Sequence, residues 1–142
     1  MNATDEQLAL TFNNLSYSSD LAEAVKDADL LIESVPENPH IKQEFYEKLA
    51  AVAPEKTIFA TNTSTLLPSA LAPYTGRPNK FIALHFANDI RIYNTAEIMG
   101  HSGTDKAVFD LLVSFAKSIG MVALPIYKEQ PASKNSNGEE AQ

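Results

Sequence analysis

The chain of 142 residues is 44% apolar and 20% charged, the length and balance of one globular domain with a single core. Its formal net charge is −7, and its eleven Lys and Arg are scattered without a basic run, which excludes the clustered cations of a nucleic-acid or anionic-membrane binder. With no cysteine, a disulfide framework and a thiolate metal centre are excluded as well.

The opening residues, MNATDEQL, lack the basic and apolar regions of a secretion signal. A cytoplasmic location is therefore expected, and the Asn-x-Ser/Thr triplets at Asn2, Asn14 and Asn62 carry no glycosylation meaning. No apolar run approaches the ~20 residues of a membrane span. In TDEQLALTF, Thr4 and Gln7 stand at the capping-box spacing and predict a short helix. LSY (15–17) is at best a short strand. SSDLAEAVKDA begins a second helix, capped by Ser19 or Asp20, with Leu21, Ala24 and Val25 as its apolar stripe.

DLLIESV (29–35) is a continuous apolar run, suited to a strand buried on both faces of a parallel sheet. The helix after it presents Ile41, Phe45, Leu49 and Val52 at helical spacing and ends before Pro54. KTIFATN (56–62) is a second buried strand, PSALAPY a short helix, KFIALHF (80–86) a third strand and TAEIMG (95–100) a fourth. TDKAVFDLLVSFAKSIG reads as a helix with Thr104 as cap and Gly120 at its C-terminal end. MVALPIY (121–127) is an edge strand, because Pro125 cannot donate to a ladder. Residues 1–128 form the folded unit, and the polar stretch 129–142 is expected to be disordered. Strands alternating with helices give an α/β layered fold with a mostly parallel sheet.

In open α/β sheets, ligands bind beyond the carboxyl ends of the strands. Glu37 follows the first strand, Asn62 and Ser64 the second, His85 and Asn88 the third, so one rim collects hydrogen-bonding groups. Singly, each residue has a plainer reading. A serine there is a turn or cap, a histidine at a strand end is structural, and Glu97 is a surface carboxylate. His40 and His101, without partners at a useful spacing, keep that reading.

Together, Ser64, His85 and Glu97 permit two chemistries. One is a hydrolase triad with Ser64 as nucleophile, although TNTSTL lacks the G-x-S-x-G elbow. In the other, His85 takes a proton from a substrate hydroxyl, Glu97 orients the imidazole and stabilises its charged form, and Ser64 holds the reacting oxygen. That chemistry requires an electron acceptor, a nicotinamide cofactor.

Four stretches, SDLAEAVKDADLLIESVPEN, KQEFYEKLAAVAPEKTIFATNTSTL, TGRPNKFIALHFAN and AEIMG, kept in order from about Ser18 to Gln130, resemble the NAD-binding domain of the 3-hydroxyacyl-CoA dehydrogenases. The resemblance implies a partial Rossmann-like, doubly wound fold and an NAD-dependent oxidation of a 3-hydroxyl in a hydroxyacyl-CoA ester. It places the catalytic base on His85, its paired glutamate on Glu97 and the substrate-binding serine on Ser64. It places NAD against Glu37, Lys42 and Asn88, with Asn62 and Ser64 lining the same pocket.

The departures carry expectations of their own. The family opens with a strand and G-x-G-x-x-G, yet the five glycines here (76, 100, 103, 120 and 138) do not make that fingerprint. The family's C-terminal helical domain is also expected to be missing, so Asn135 is not equated with that domain's substrate-binding asparagine. Asp89 stands where the family usually has proline, and IRIYN departs from its apolar loop, which puts the substrate in question. Without its family neighbour, strand 29–35 becomes an exposed edge. That predicts a homo-oligomer through 29–35, or LSY covering the edge. Loss of the phosphate-binding turn predicts a truncated dehydrogenase that is weak or inactive on its own. The alternative outside enzymology is a non-catalytic assembly module that retains the fold.

Overall fold

A computed structural model describes residues 3–90 and 92–129. The expected disordered tail, 129–142, lies outside the described residues apart from Glu129, whose carboxylate accepts the Ser69 N–H at 2.6 Å.

Five strands form one sheet in the order β1 (Leu30–Glu33), β2 (Ile58–Thr61), β3 (Phe81–Phe86), β4 (Thr95–Met99) and β5 (Val122–Ile126). The β1–β2, β2–β3 and β4–β5 pairs are parallel, whereas β3 and β4 are antiparallel. The exception has a local cause: only the short loop 87–94 joins β3 to β4, and a parallel crossover needs a dozen or more residues. The fold is α/β with a mostly parallel sheet, as the sequence pattern implies.

Helix α1 (Asp5–Asn13) starts at a reciprocal capping box between Thr4 and Gln7, with bonds of 3.2 and 2.9 Å, yet buries none of its residues. Asp20 caps α2 (Leu21–Val25), and Asn38 caps α3 (Pro39–Val52). Short helix α4 (Pro68–Leu71) precedes β3, and α5 (Lys106–Ser118) connects β4 to β5. Helix α5 ends in a Schellman arrangement. Gly120, at φ +83°, donates to Lys117 C=O, and Met121 donates to Ala116 C=O.

Two hydrophobic layers sandwich the sheet. Ile58, Ala60, Ile82, Leu84, Ala96 and Ile98 pack against Val108, Leu112 and Ala116 of α5. On the other face Phe59 and Phe81 meet Val25, Tyr46, Leu49 and Leu71, with Tyr46 edge-on to Phe81 at 5.1 Å between ring centroids.

Four expectations are corrected. LSY forms no strand and does not cover β1. Ser18 instead bonds both backbone groups of Asp20, a local alternative to a ladder, and Leu15 and Tyr17 are exposed. Strand β1 is the edge expected without its family neighbour, but it is not buried on both faces as its apolar run implied: Ile32 is 38% exposed. Thr104 is not the cap of α5, which is Asp105. The Thr104 hydroxyl accepts from His101 N–H and donates to Phe81 C=O, stapling the β4–α5 turn to the start of β3. Finally, α3 buries Lys42, Tyr46 and Leu49 and leaves Ile41 and Val52 exposed, for a reason found at the rim of the sheet.

The α5 layer closes the core over the central strands. Truncating fully buried Leu112 to alanine is expected to destabilise the fold by about 2–5 kcal/mol, measured by urea denaturation.

Candidate active site

The carboxyl ends of β1, β2 and β3 share one rim, and β4, running the other way, begins there. His85 is the penultimate residue of β3, and the antiparallel register sets Glu97 of β4 directly opposite it. Cross-strand partners of this kind meet on the same face. His85 Nδ1 lies 3.2 Å from Glu97 Oε2, with the two side chains 25% and 38% exposed. A carboxylate only accepts, so Nδ1 carries the shared hydrogen and Nε2 is left as an acceptor.

Asn62 anchors the neighbouring wall. Its N–H donates to Glu33 C=O at 2.9 Å, and its Oδ1 accepts the Phe86 N–H, next to His85, at 3.0 Å. Around it, TNTST alternates. Thr61 Oγ1 donates to Glu33 at 2.8 Å; Thr63 Oγ1 donates to Glu37; Thr65 donates to Glu37 through both N–H (3.1 Å) and Oγ1 (2.8 Å). The threonines fasten the segment, while Ser64 between them is exposed and makes no side-chain hydrogen bond among the described residues.

Beneath this loop is a buried polar cluster that periodicity did not reveal. Glu33, fully enclosed at the end of β1, accepts from Val35 N–H (2.7 Å), Lys42 Nζ (2.6 Å), Tyr46 Oη (3.0 Å) and Thr61 Oγ1. Lys42, 1% exposed, also donates to Val35 C=O at 3.2 Å and lies 3.4 Å from Glu37 Oε2. This cluster turns the Lys42–Tyr46 face of α3 inward and Ile41 outward. Burial, then the charge of Glu33, drive the Tyr46 phenol far above its ordinary range, so it stays a donor. Burial raises Glu37, but the bonds from Thr63 and Thr65 and the charge of Lys42 outweigh it and hold the carboxyl below its usual range. The signals for the cluster were a lone glutamate in an apolar run, Lys42 and Tyr46 at i, i+4, and threonine at every second position of 61–65.

The structure brings His85 to Glu97, and Asn62 to the end of β3. It gives Ser64 no hydrogen bond to either member of the pair among the described residues. Asn88 is exposed in the turn after β3, beside Asp89, whose φ of 55° lies in the left-handed region. His101 holds loops together, with Nε2 2.8 Å from Pro78 C=O and Nδ1 accepting the Gly103 N–H.

Comparison with known proteins decides the kinship. The family described as "3-hydroxyacyl-CoA dehydrogenase, NAD binding domain" matches residues 1–130. The chain belongs to this family. It is 37% identical over 118 residues to a mitochondrial hydroxyacyl-coenzyme A dehydrogenase of Rattus norvegicus, covering 83% of the chain and 38% of that protein. A 3-hydroxybutyryl-CoA dehydrogenase of Clostridioides difficile is 36% identical over 104 residues, covering 73% of the chain and 37% of that protein. The chain thus spans well under half the length of these curated relatives. Among solved structures, a diketoreductase described as acting on dicarbonyl compounds is 53% identical with a TM-score of 0.87, over 90% of this chain and 45% of that one. The α/β fold is that of the Rossmann-type dehydrogenases. No helix among the described residues is long and apolar enough to cross a membrane. The absence of a Ser64–His85 bond and the dehydrogenase kinship both leave the hydrolase reading without support.

Glu37 supplies a pH signature. Its folded value lies below the ordinary 4.5, so its stabilising contribution is complete above that value and is lost as pH falls through the folded value. Urea denaturation on acidification below about pH 4.5 should show the wild type losing more stability than Glu37→Gln, which has no such group to protonate.

Proposed function

We propose that the chain carries the catalytic half-site of an NAD-dependent oxidoreductase that interconverts a 3-hydroxyl and a ketone. The single observation supporting this reading is the His85–Glu97 pair at the open rim. In the oxidative direction, His85 Nε2 accepts the hydroxyl proton while the Glu97 carboxylate balances the imidazolium through Nδ1–H. The exposed Ser64 hydroxyl donates to the reacting oxygen. In reduction, the same imidazolium returns the proton. The chemistry that bound NAD would supply is an acceptor for the carbon-bound hydrogen and its two electrons.

The residues present suit the nicotinamide end of the cofactor. Ser64, Asn62 and Asn88 offer neutral donors and acceptors, and Glu37, with a side chain 35% exposed, offers a carboxylate for hydroxyls. Lys42 neutralises that carboxylate from within the protein. The sequence contains no G-x-G-x-x-G turn to hold the pyrophosphate, so this polypeptide by itself should bind NADH weakly and turn over slowly.

Two substrate classes are in view. Kinship with the 3-hydroxyacyl-CoA dehydrogenases favours a hydroxyacyl thioester. The 53% identity to a diketoreductase, together with Asp89 and the sequence IRIYN beside the site, favours a dicarbonyl compound without CoA. NADH-dependent reduction of a 3-ketoacyl thioester and of a dicarbonyl compound without CoA, measured side by side, separates them.

His85→Ala should abolish either reaction, and Glu97→Gln should lower kcat substantially, within the ~10²–10⁴-fold range of a positioned acid–base group. A His85→Ala protein as active as the wild type sinks the assignment. If calorimetry detects no NADH binding even at millimolar cofactor, the non-catalytic assembly module becomes the better reading.

We also propose association through 29–35. The outer side of β1 has no partner strand among the described residues, and Ile32 is exposed on it. Light scattering should give a multiple of the chain mass that drops to the monomer for Ile32→Lys. A wild-type monomer over the whole accessible concentration range would refute it.

A further inference from the structure

We propose that Asn62 is a positioning residue. Its side-chain amide replaces the next rung of the β2–β3 ladder and so ties the His85–Glu97 pair to the loop that presents Ser64. The proposal rests on the proposed function only in taking those two walls as one site.

The tie begins where β2 stops. The β2–β3 pairing ends at Thr61 opposite Ala83, while β3 runs on to Phe86. On its other side the end of β3 stays paired with β4: His85 lies opposite Glu97, and the Ala87 N–H donates to Thr95 C=O at 3.1 Å. Backbone N–H groups alternate in direction along a strand, so the Phe86 N–H points away from β4, toward a strand that has already ended. Asn62 Oδ1 meets it at 3.0 Å. A backbone N–H only donates, and this fixes the amide: the oxygen faces Phe86, and Nδ2 is turned to Ser34 Oγ, 3.4 Å away on the exposed side.

Both ends of the tie are anchored. The Asn62 N–H donates to Glu33 C=O of β1 at 2.9 Å, and the Phe86 side chain packs against the layer under α5. Asn62 therefore reaches from β1 to β3 across the end of β2. Among the described residues no other hydrogen bond joins 62–66 to 85–97. Thr63 and Thr65 turn to Glu37, and Ser64 between them is exposed. In the proposed reaction His85 Nε2 and the Ser64 hydroxyl address one substrate oxygen. Misplacing such groups by about 1 Å can cost ~10²-fold in rate, so a single bond that sets one wall against the other has leverage.

Two variants separate the functions of the amide. Asn62→Leu removes the acceptor with little change of volume; Asn62→Asp keeps an acceptor oxygen and removes the Nδ2 donor. By NMR, the Phe86 amide of Asn62→Leu should exchange roughly 5–30-fold faster, the loss expected for one hydrogen bond, while the Leu84 and Ala87 amides keep their protection. Relaxation dispersion, absent from the wild type, should appear at Ser64 and Phe86 with one common rate. Asn62→Asp should restore both readouts. Unchanged Phe86 exchange in Asn62→Leu, or a Ser64 amide without dispersion, would overturn the proposal. So would an equal quickening at Leu84, which assigns Asn62 to general stability, or an Asn62→Asp protein behaving like Asn62→Leu, which assigns its role to the donor. None of these readouts needs turnover, so failure of the His85→Ala assay would remove the enzymatic reading and leave this result standing.

Discussion

The site rests on a carboxylate with no access to water. Glu33 ends β1 inside the protein, and an ionised group there is tolerated only when paired and fully hydrogen-bonded. Four donors from three different elements meet that demand: Val35 beyond β1, Lys42 and Tyr46 on α3, Thr61 at the end of β2. Such a cluster leaves little freedom. It fixes the rotation of α3 about its axis, sets the height of β1 against β2, and delivers a charge to the point where the next loop begins. Replacing it with apolar side chains could retain stability, as buried ion pairs often allow. It could not retain the loop, since no apolar group would accept from Thr61 or set a charge beside the Glu37 that accepts from Thr63 and Thr65.

The opposite wall depends on strand direction. Glu97 is the third residue of β4, and because β4 starts at the rim it meets the penultimate residue of β3 face to face. A parallel β4 would start at the far end of the sheet, and its third residue would fall short of His85. The reversal in an otherwise parallel sheet is thus what creates the pair, and the shortness of the 87–94 connection is what enforces the reversal.

The sequence made the layers legible because apolar runs and capping residues are local signals. The Thr4–Gln7 box, the Pro54 stop and the Gly120 terminus each appear where physical chemistry requires them. His85 is nominated by its place at a strand end and Glu97 as a carboxylate twelve residues on, but their facing each other depends on a strand order that no local pattern contains. The errors share one origin. Helical spacing puts Ile41 and Val52 on one apolar stripe, whereas on α3 the buried positions include Lys42 and Tyr46, made compatible with the interior by a glutamate nine residues before Lys42. LSY failed for the converse reason: three residues of suitable type found no ladder, and the hydroxyl of Ser18 turned the backbone locally instead.

These features meet at the free edge. Glu33 belongs to β1, the strand farthest from the helix α5 layer and unpaired on its outer side among the described residues, and α1 buries nothing against it. The path from that edge to the histidine is nonetheless short: β1 to Glu33, Glu33 to Thr61 and Asn62, Asn62 to the backbone of Phe86. Fraying of β1 would loosen the carboxylate, and with it the loop and the Asn62 contact to β3. Whatever pairs with β1 binds the ordered edge in preference to the frayed one and so favours the ordered site by the same free energy. The association proposed at the edge would therefore be coupled to order at the rim, with the Glu33 carboxylate as the link between them.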